Sequence, residues 1–205
     1  MTSVLLAASL WMAAAAGISA LRASGMRWLE SRPSVTATCA LAVSAVSVAQ
    51  LTVAPGLLHV LMRTDARVVA TEPWRLVTSL LVQDGGWPGV AFNLAGLLIV
   101  GSIAERVLGR LRWLAIAGCS VAATQAVALS WQPMGAGNSI LNFGLAGALC
   151  THGLVSRRPR PSLVPAVSAG GCFVALLLGR DIHGVAGLTG AAAAWVVALP
   201  AERRR

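Results

Sequence analysis

Apolar residues follow one another along this chain in runs of about 18–20, which is the length an α-helix needs to cross a hydrocarbon core of about 30 Å. Short polar or basic connections separate the runs. The runs predict membrane spans at 4–21, 37–62, 88–104, 113–131, 139–155, 163–179 and 183–200. Pro55 and Gly56 interrupt the second run, so we expect that span to be kinked or shorter. The pattern predicts an all-α fold, a polytopic membrane helix bundle.

The composition agrees with a membrane protein and excludes an ordinary soluble domain. Hydrophobic residues make up 57% of the 205 residues, charged residues make up 11%, and the mean hydropathy is +0.75. A soluble domain carries roughly 25% charged residues. We therefore expect one membrane-embedded domain without a soluble module. The abundance of alanine, glycine and arginine, with no lysine, suggests a GC-rich bacterial genome.

The 16 basic residues, all arginines, are distributed unevenly among the connections. Twelve of them follow the first, third, fifth and seventh spans: Arg22, Arg27, Arg32, Arg106, Arg110, Arg112, Arg157, Arg158, Arg160, Arg203, Arg204 and Arg205. Cytoplasmic connections carry such an excess of basic residues. The pattern predicts a multi-pass protein of the plasma membrane, with the N-terminus outside and the C-terminus in the cytoplasm. The net charge of +9 is then a topological signal with some attraction to anionic lipid, and no nucleic-acid partner is expected.

The four cysteines do not indicate a metal site or a disulfide framework. They lie within or at the edges of apolar spans, without the spacing of metal ligands: Cys39, Cys119, Cys150 and Cys172. We expect the four cysteines to act as small, buried apolar side chains. We expect neither a metal nor an organic cofactor.

Polar residues stand at the head of the fifth apolar run, where a structural span gains nothing from them. The stretch "GAGNSILNFGLAGA" (135–148) includes Asn138 and Ser139. In the predicted topology Ser139, His183 and Asn93 lie near the outer ends of three spans, at similar depths. A serine and a histidine can form a nucleophile–base pair, and an asparagine can donate to an oxyanion. Such residues also serve as helix N-caps or as hydrogen bonds between membrane helices, and spacing alone leaves both interpretations open.

Four separate elements occur in an order and spacing that are specific in combination. They are "EPWRL" at 72–76, "FNLAGLLIVGSIAERVLG" at 92–109, "GNSILNFGLAGA" at 137–148 and "HGVAGLTG" at 183–190. All four have counterparts in one family of membrane proteins. The first is similar to a Trp-Arg element in an extramembrane loop of that family, and the second is similar to a core helix of that family that ends in a Glu-Arg pair. The third is similar to a Gly-x-Ser-Gly helix, and the fourth to a final helix with a histidine followed by glycines. In these elements the sequence resembles the rhomboid family of intramembrane serine proteases, over about residues 37–200.

The resemblance implies both an architecture and an activity. It implies a rhomboid-like six-helix core over residues 37–205, preceded by an extra transmembrane helix and a cytoplasmic loop over residues 1–36. The implied activity is that of a serine endopeptidase acting within the membrane. Its implied partners are the lipid bilayer and single-span membrane proteins, which it would cut near the outer membrane face.

The resemblance also implies roles for individual residues. Ser139 would be the nucleophile and His183 the general base, in a dyad without an acid. Asn93 and the backbone N–H of Ser139 would form the oxyanion hole. The supporting residues would be Phe143, which would pack on the base, together with Gly137 and Asn138. No cofactor is implied.

Among the departures from the family pattern, two lie next to the nucleophile and the oxyanion asparagine. Ile140 stands where a glycine usually follows the nucleophile, and Gly89 stands where a histidine usually precedes the oxyanion asparagine by one turn. A β-branched residue at this position could crowd the neighbouring helix or tilt the Ser139 N–H. The alternative is a catalytically inactive rhomboid-like protein that binds membrane-protein helices. An unrelated transporter is less consistent with the sequence, because few charged residues lie within the spans.

Overall fold

The chain forms a bundle of helices in a computed structural model that describes residues 2–23, 34–155 and 163–202. The helices are α1 Thr2–Ala23, α2 Ser34–Thr52, α3 Leu57–Leu61, α4 Ala66–Thr71, α5 Arg75–Thr78, α6 Gly86–Gly96, α7 Ser102–Leu108, α8 Arg110–Trp131, α9 Ser139–Val155, α10 Leu163–Leu178 and α11 Ile182–Glu202. A π-helical turn, Leu97–Gly101, joins α6 to α7. The described residues contain no β-strand, only an isolated antiparallel bridge between Arg63 and Gly135. The predicted all-α fold is confirmed.

All seven predicted spans fall on helices. Within the described residues, four helical segments are long and apolar enough to cross a membrane: Ser3–Arg22, Ser34–Thr52, Gly86–Leu108 and Arg110–Trp131. Three shorter apolar helices accompany them: Ser139–Val155, Leu163–Leu178 and Ile182–Val197. The predicted membrane bundle is therefore confirmed. Most of the arginines that predict its orientation lie in 24–33, 156–162 and 203–205, outside the described residues, so the orientation stays a prediction.

The second span is shorter than its apolar run. Helix α2 ends at Thr52, and a turn over residues 53–56 leads into the short helix α3. Pro55 has no N–H to continue the helical ladder, and its ring disfavours helical backbone at Ala54. The shortening expected from Pro55 and Gly56 is therefore confirmed, although the apolar run itself extends to residue 62.

Glycines bring α9 and α11 into backbone contact at the centre of the bundle. A side chain at Gly147 would overlap the carbonyl group of Gly187, and a side chain at Gly190 would overlap that of Gly144. Small residues allow membrane helices to approach this closely. The crossing places the N-terminal turns of α9 and α11 side by side, where the site described below is built.

Helix α1 packs into the bundle instead of standing apart from it. It lies against α9, α10 and α7, and its buried face includes Leu10 and Ala13. Gly17 faces the side chains of Ile103 and Leu149. The first helix therefore covers part of α9. The division between residues 1–36 and 37–205 stays a prediction.

Candidate active site

The local backbone places Ser139 at the first position of α9. The carbonyl oxygen of Asn138 accepts the N–H groups of Leu141 and Asn142, at 3.1 and 3.2 Å, and so begins the helix. Gly137 has a φ of 118°, which a residue with a side chain rarely adopts. A Cβ at this position would also lie 3.0 Å from the side-chain amide nitrogen of Asn93. The turn therefore requires glycine at 137, and it presents Ser139 at the helix end.

The hydroxyl of Ser139 contacts the imidazole of His183. The distance from Ser139 Oγ to His183 Nε2 is 2.8 Å, although the two residues are 44 positions apart. His183 lies in the first turn of α11, which begins at Ile182. The close crossing of α9 and α11 therefore brings these two side chains together, as the matched depths of their spans predict.

The ring of Phe143 packs against the same imidazole. The ring centroids of Phe143 and His183 are 4.8 Å apart, with an interplanar angle of 59°. Phe143 also makes an edge-on contact with Phe173 at 6.2 Å, and it is 1% exposed. These apolar contacts restrict the orientation of the histidine ring.

Asn93 belongs to a network of side-chain amides next to Ser139. Its Nδ2 donates to Gln83 Oε1 at 2.6 Å, and Gln83 Nε2 donates to Asn138 Oδ1 at 3.1 Å. Asn138 and Asn142 both donate to the carbonyl oxygen of Asn93, at 3.2 and 2.9 Å. The network ties α6 to the start of α9. The side-chain amide nitrogen of Asn93 carries two hydrogens, and Gln83 Oε1 accepts one of them.

A cavity of about 190 Å³ lies in front of these residues. The polar side chains in its wall include Arg63, Asp84, Asn93, Gln125, Ser139 and His183. Arg63 donates to the carbonyl oxygens of Gln132 and Pro133, at 2.7 and 3.1 Å, and so holds the segment that leads to Ser139. Burial lowers the pKa of Arg63, and the nearby charge of Asp84 partly offsets this effect. The cavity is thus polar and large enough to admit water.

The carboxylate of Asp181 lies on the other side of the imidazole from Ser139. Asp181 Oδ1 is 2.6 Å from His183 Nδ1, and it also accepts the backbone N–H of His183 at 2.9 Å. Burial raises the pKa of the Asp181 carboxyl, but the hydrogen bonds and charge of His183 outweigh burial, so its pKa lies below the ordinary value. The resemblance implied a pair without an acid, whereas an acid contacts this histidine.

Comparison with known proteins bears on the family of the chain. Residues 70–204, more than half of the chain, match the Rhomboid domain family. The chain belongs to the rhomboid family. No curated protein matches the chain. Rhomboids are multi-pass membrane proteins and are generally intramembrane serine proteases.

The Trp-Arg element of this rhomboid holds together the loop between α2 and α6. Arg75 begins helix α5, and its Nη1 donates to the carbonyl oxygens of His59 and Met62, at 2.7 and 3.1 Å. Its Nε also pairs with Glu72. Arg75 therefore acts on the loop backbone, and it is not among the residues that line the cavity.

The two departures from the rhomboid pattern have different surroundings. Ile140 is 3% exposed and packs in the hydrophobic core, while Ser139 and His183 remain in contact beside it. Gly89 lies in α6 with open space where a side chain would be. The donor that a histidine would supply is therefore missing, and Asn138 and Asn142 instead donate to the Asn93 backbone.

Sequence reasoning missed two residues of the site. Asp181 belongs to none of the four motifs in the sequence, although it stands two residues before His183 and directly precedes the helix that carries it. Gln83 is 1% exposed and links Asn93 to Asn138. Its loop position gave no sign of burial, because the loop reaches the site only through tertiary packing.

Proposed function

We propose that this rhomboid is an active intramembrane serine endopeptidase, in which Ser139 is the nucleophile and His183 the general base. The observation that carries the proposal is the 2.8 Å contact between Ser139 Oγ and His183 Nε2 at the wall of a polar cavity. Nucleophile and base must lie within about 2.6–3.2 Å for proton transfer. Asn93 lines the same cavity, as an oxyanion donor requires.

Attack on the peptide bond is the first step. His183 Nε2 accepts the proton of the Ser139 hydroxyl as Oγ bonds to the substrate carbonyl carbon. The carbonyl π electrons move to oxygen, which becomes an oxyanion. The Ser139 N–H, among the first of α9 and therefore without a partner inside the helix, can donate to that oxyanion. The second N–H of the Asn93 amide is the other proposed donor.

Release of the two products completes the cycle. The oxyanion collapses, the C–N bond breaks, and His183 Nε2 gives its proton to the leaving amine. Water then loses a proton to Nε2 and attacks the ester carbon. Collapse of the second oxyanion breaks the bond to Oγ, and His183 returns a proton to Ser139. The polar wall of the cavity supports access of that water.

The substrates we propose are single-span membrane proteins that can unwind near the outer membrane face. A helical segment hides its peptide carbonyls in i to i−4 hydrogen bonds, so a cleavable segment must leave the helix first. In the proposed orientation, the N-terminus is outside and the C-terminus cytoplasmic, and the cavity faces outward from the plasma membrane. This orientation follows from the arginine distribution.

Covalent labelling tests the proposal. A fluorophosphonate reacts with a serine that a base activates, so the purified protein in detergent should be labelled at Ser139, as mapped by mass spectrometry. The Ser139→Ala protein should remain unlabelled. The alternative, an inactive rhomboid-like protein that binds membrane helices, predicts neither labelling nor cleavage, together with retained binding of a transmembrane peptide.

Replacement of Asn93 should slow cleavage without abolishing it. Loss of one oxyanion donor costs about 10²–10³-fold in rate, so we expect Asn93→Ala to fall in this range in an assay with a transmembrane substrate. Asn93→Asp keeps the size of the side chain but removes its N–H donors and adds negative charge, so it should be slower still. Rates equal to wild type in both variants would exclude Asn93 from the oxyanion hole.

Replacement of Ile140 by glycine should lower stability without raising activity. The side chain is buried, and removal of a buried side chain of this size costs about 2–5 kcal/mol. Thermal unfolding in detergent should therefore show a lower Tm, whereas Ile140→Val should change the Tm much less. Faster cleavage by the glycine variant would mean instead that Ile140 crowds the site.

A further inference from the structure

The Asp181 carboxylate, the His183 imidazole and the Ser139 hydroxyl form one hydrogen-bonded row. Asp181 Oδ1 lies 2.6 Å from Nδ1, and Ser139 Oγ lies 2.8 Å from Nε2, so both ring nitrogens are engaged. The side chains of Asp181 and His183 are only 12% and 17% exposed. Hydrogen bonds between largely buried polar groups are stronger than the same bonds in water.

The tight turn between α10 and α11 holds Asp181 in place. Arg180 adopts a left-handed φ of 54°, which is uncommon for a residue with a side chain. The N–H groups of Arg180 and Asp181 donate to the carbonyl oxygens of Leu177 and Leu176, both at 2.9 Å, and close the end of α10. Asp181 then caps α11 by accepting the N–H of His183. The carboxylate is therefore fixed from both sides of the turn.

We propose that Asp181 is a positioning residue that keeps the proton of the His183 imidazole on Nδ1 and directs the unprotonated Nε2 at Ser139. The inference rests on the proposed function and deepens it, because the pair then works as a Ser-His-Asp triad. An ionised carboxylate has no hydrogen to donate, so the hydrogen of this bond must come from Nδ1. Nε2 is then free to accept the serine proton, and the carboxylate stabilises the imidazolium that results.

A second carboxylate near the site, that of Asp84, provides a control for the charge of Asp181. Asp84 lines the same cavity as His183, but its Oδ2 lies 3.4 Å from the backbone N–H of Ala136. Asp84→Asn therefore removes one carboxylate charge from the cavity that His183 lines, while the contact between Asp181 and His183 stays in place. A direct positioning role predicts a large loss of kcat on replacement of Asp181 and a much smaller loss on replacement of Asp84.

The variants at 181 are chosen to keep the helix cap. Asparagine and serine both cap helices about as well as aspartate, so Asp181→Asn and Asp181→Ser should fold with a Tm close to wild type. Asparagine has no charge, and the serine hydroxyl is too short to reach Nδ1. We expect kcat to fall by about 10²–10⁴-fold in both variants, with little change in KM. A residue that only capped the helix would leave kcat unchanged in both.

A second measurement reads the position of the proton without any need for turnover. The chain has only three histidines, so selective ¹⁵N labelling in detergent micelles gives few signals, and the His183→Ala protein identifies those of His183. Wild type should show a protonated Nδ1 and an unprotonated Nε2. An asparagine amide can either accept from Nδ1 or donate to it, so Asp181→Asn no longer requires the proton to lie on Nδ1. In this variant the proton should therefore shift towards Nε2.

The outcomes separate this inference from the function on which it rests. A lower kcat together with a moved proton supports the positioning role. Unchanged kcat and an unchanged Nδ1 proton in Asp181→Asn would overturn it, and so would an equal loss of rate in Asp84→Asn. If wild type neither cleaves nor labels, the proposed function fails, while the ¹⁵N spectra of wild type and Asp181→Asn still decide where the proton lies.

Discussion

The Ser139→Ala and His183→Ala proteins are each expected to lose nearly all turnover, by up to about 10⁶-fold, on a cleavable transmembrane substrate. The reason is the direct contact of 2.8 Å between Oγ and Nε2, through which the serine proton must leave. Nucleophile and base act as one unit, so the double variant should be no slower than either single variant. Initial rates in detergent, with product quantified on gels, measure the effect.

Controls distinguish chemistry from folding in this experiment. Ser130 lies on α8, where its hydroxyl donates to the carbonyl of Val127, so Ser130→Ala should cleave at the wild-type rate. The variants of Ser139 and His183 should keep a Tm near wild type, because hydrogen bonds between membrane helices contribute only about 0.6 kcal/mol on average. A double variant much slower than both single variants would contradict the claim that the two residues form one unit.

Replacing a glycine by alanine at the crossing of α9 and α11 should have the second-largest effect on cleavage, because it should destabilise the fold. A Cβ at Gly147 would overlap the backbone of Gly187, and a Cβ at Gly190 would overlap the backbone of Gly144. Backbone atoms cannot move aside as a side chain can, so we expect each variant to lose about 3 kcal/mol of stability, the upper end of the usual cost of overpacking. Because α9 and α11 would separate, cleavage should fall with the Tm.

Glycines elsewhere in the bundle give the matched comparison. Gly118 in α8 and Gly170 in α10 have open space where a Cβ would be. Alanine is favoured over glycine inside a helix by about 0.5–1 kcal/mol, so Gly118→Ala and Gly170→Ala should be neutral or slightly stabilising. If Gly147→Ala and Gly190→Ala have the same Tm as Gly118→Ala and Gly170→Ala, the packing of α9 on α11 does not depend on backbone contact.

Much of the fold could be predicted from hydropathy alone, because membrane spans are set by the thickness of the hydrocarbon core. The fifth predicted span, 139–155, coincides with α9. The end of the second span could not be read in the same way, since residues 53–62 are apolar but contain Pro55. Backbone geometry, not hydropathy, ends α2 at Thr52.

The candidate site was only partly readable from the sequence. Ser139, His183 and Asn93 could be grouped because residues near the outer ends of spans share a depth, and all three line one cavity. Asp181 and Gln83 lie in connections, where depth gives no guidance and burial depends on how the loops fold back. Their contacts with His183 and Asn93 follow from the turn after α10 and from packing of the loop before α6.

The most direct test of the account is cleavage in reconstituted liposomes of a single-span substrate by wild type and by Ser139→Ala, with products identified by mass spectrometry. We predict that wild type cuts one peptide bond near the outer end of the substrate helix and that Ser139→Ala yields no product. Cleavage at the same bond by Ser139→Ala would contradict the central claim that Ser139 is the nucleophile.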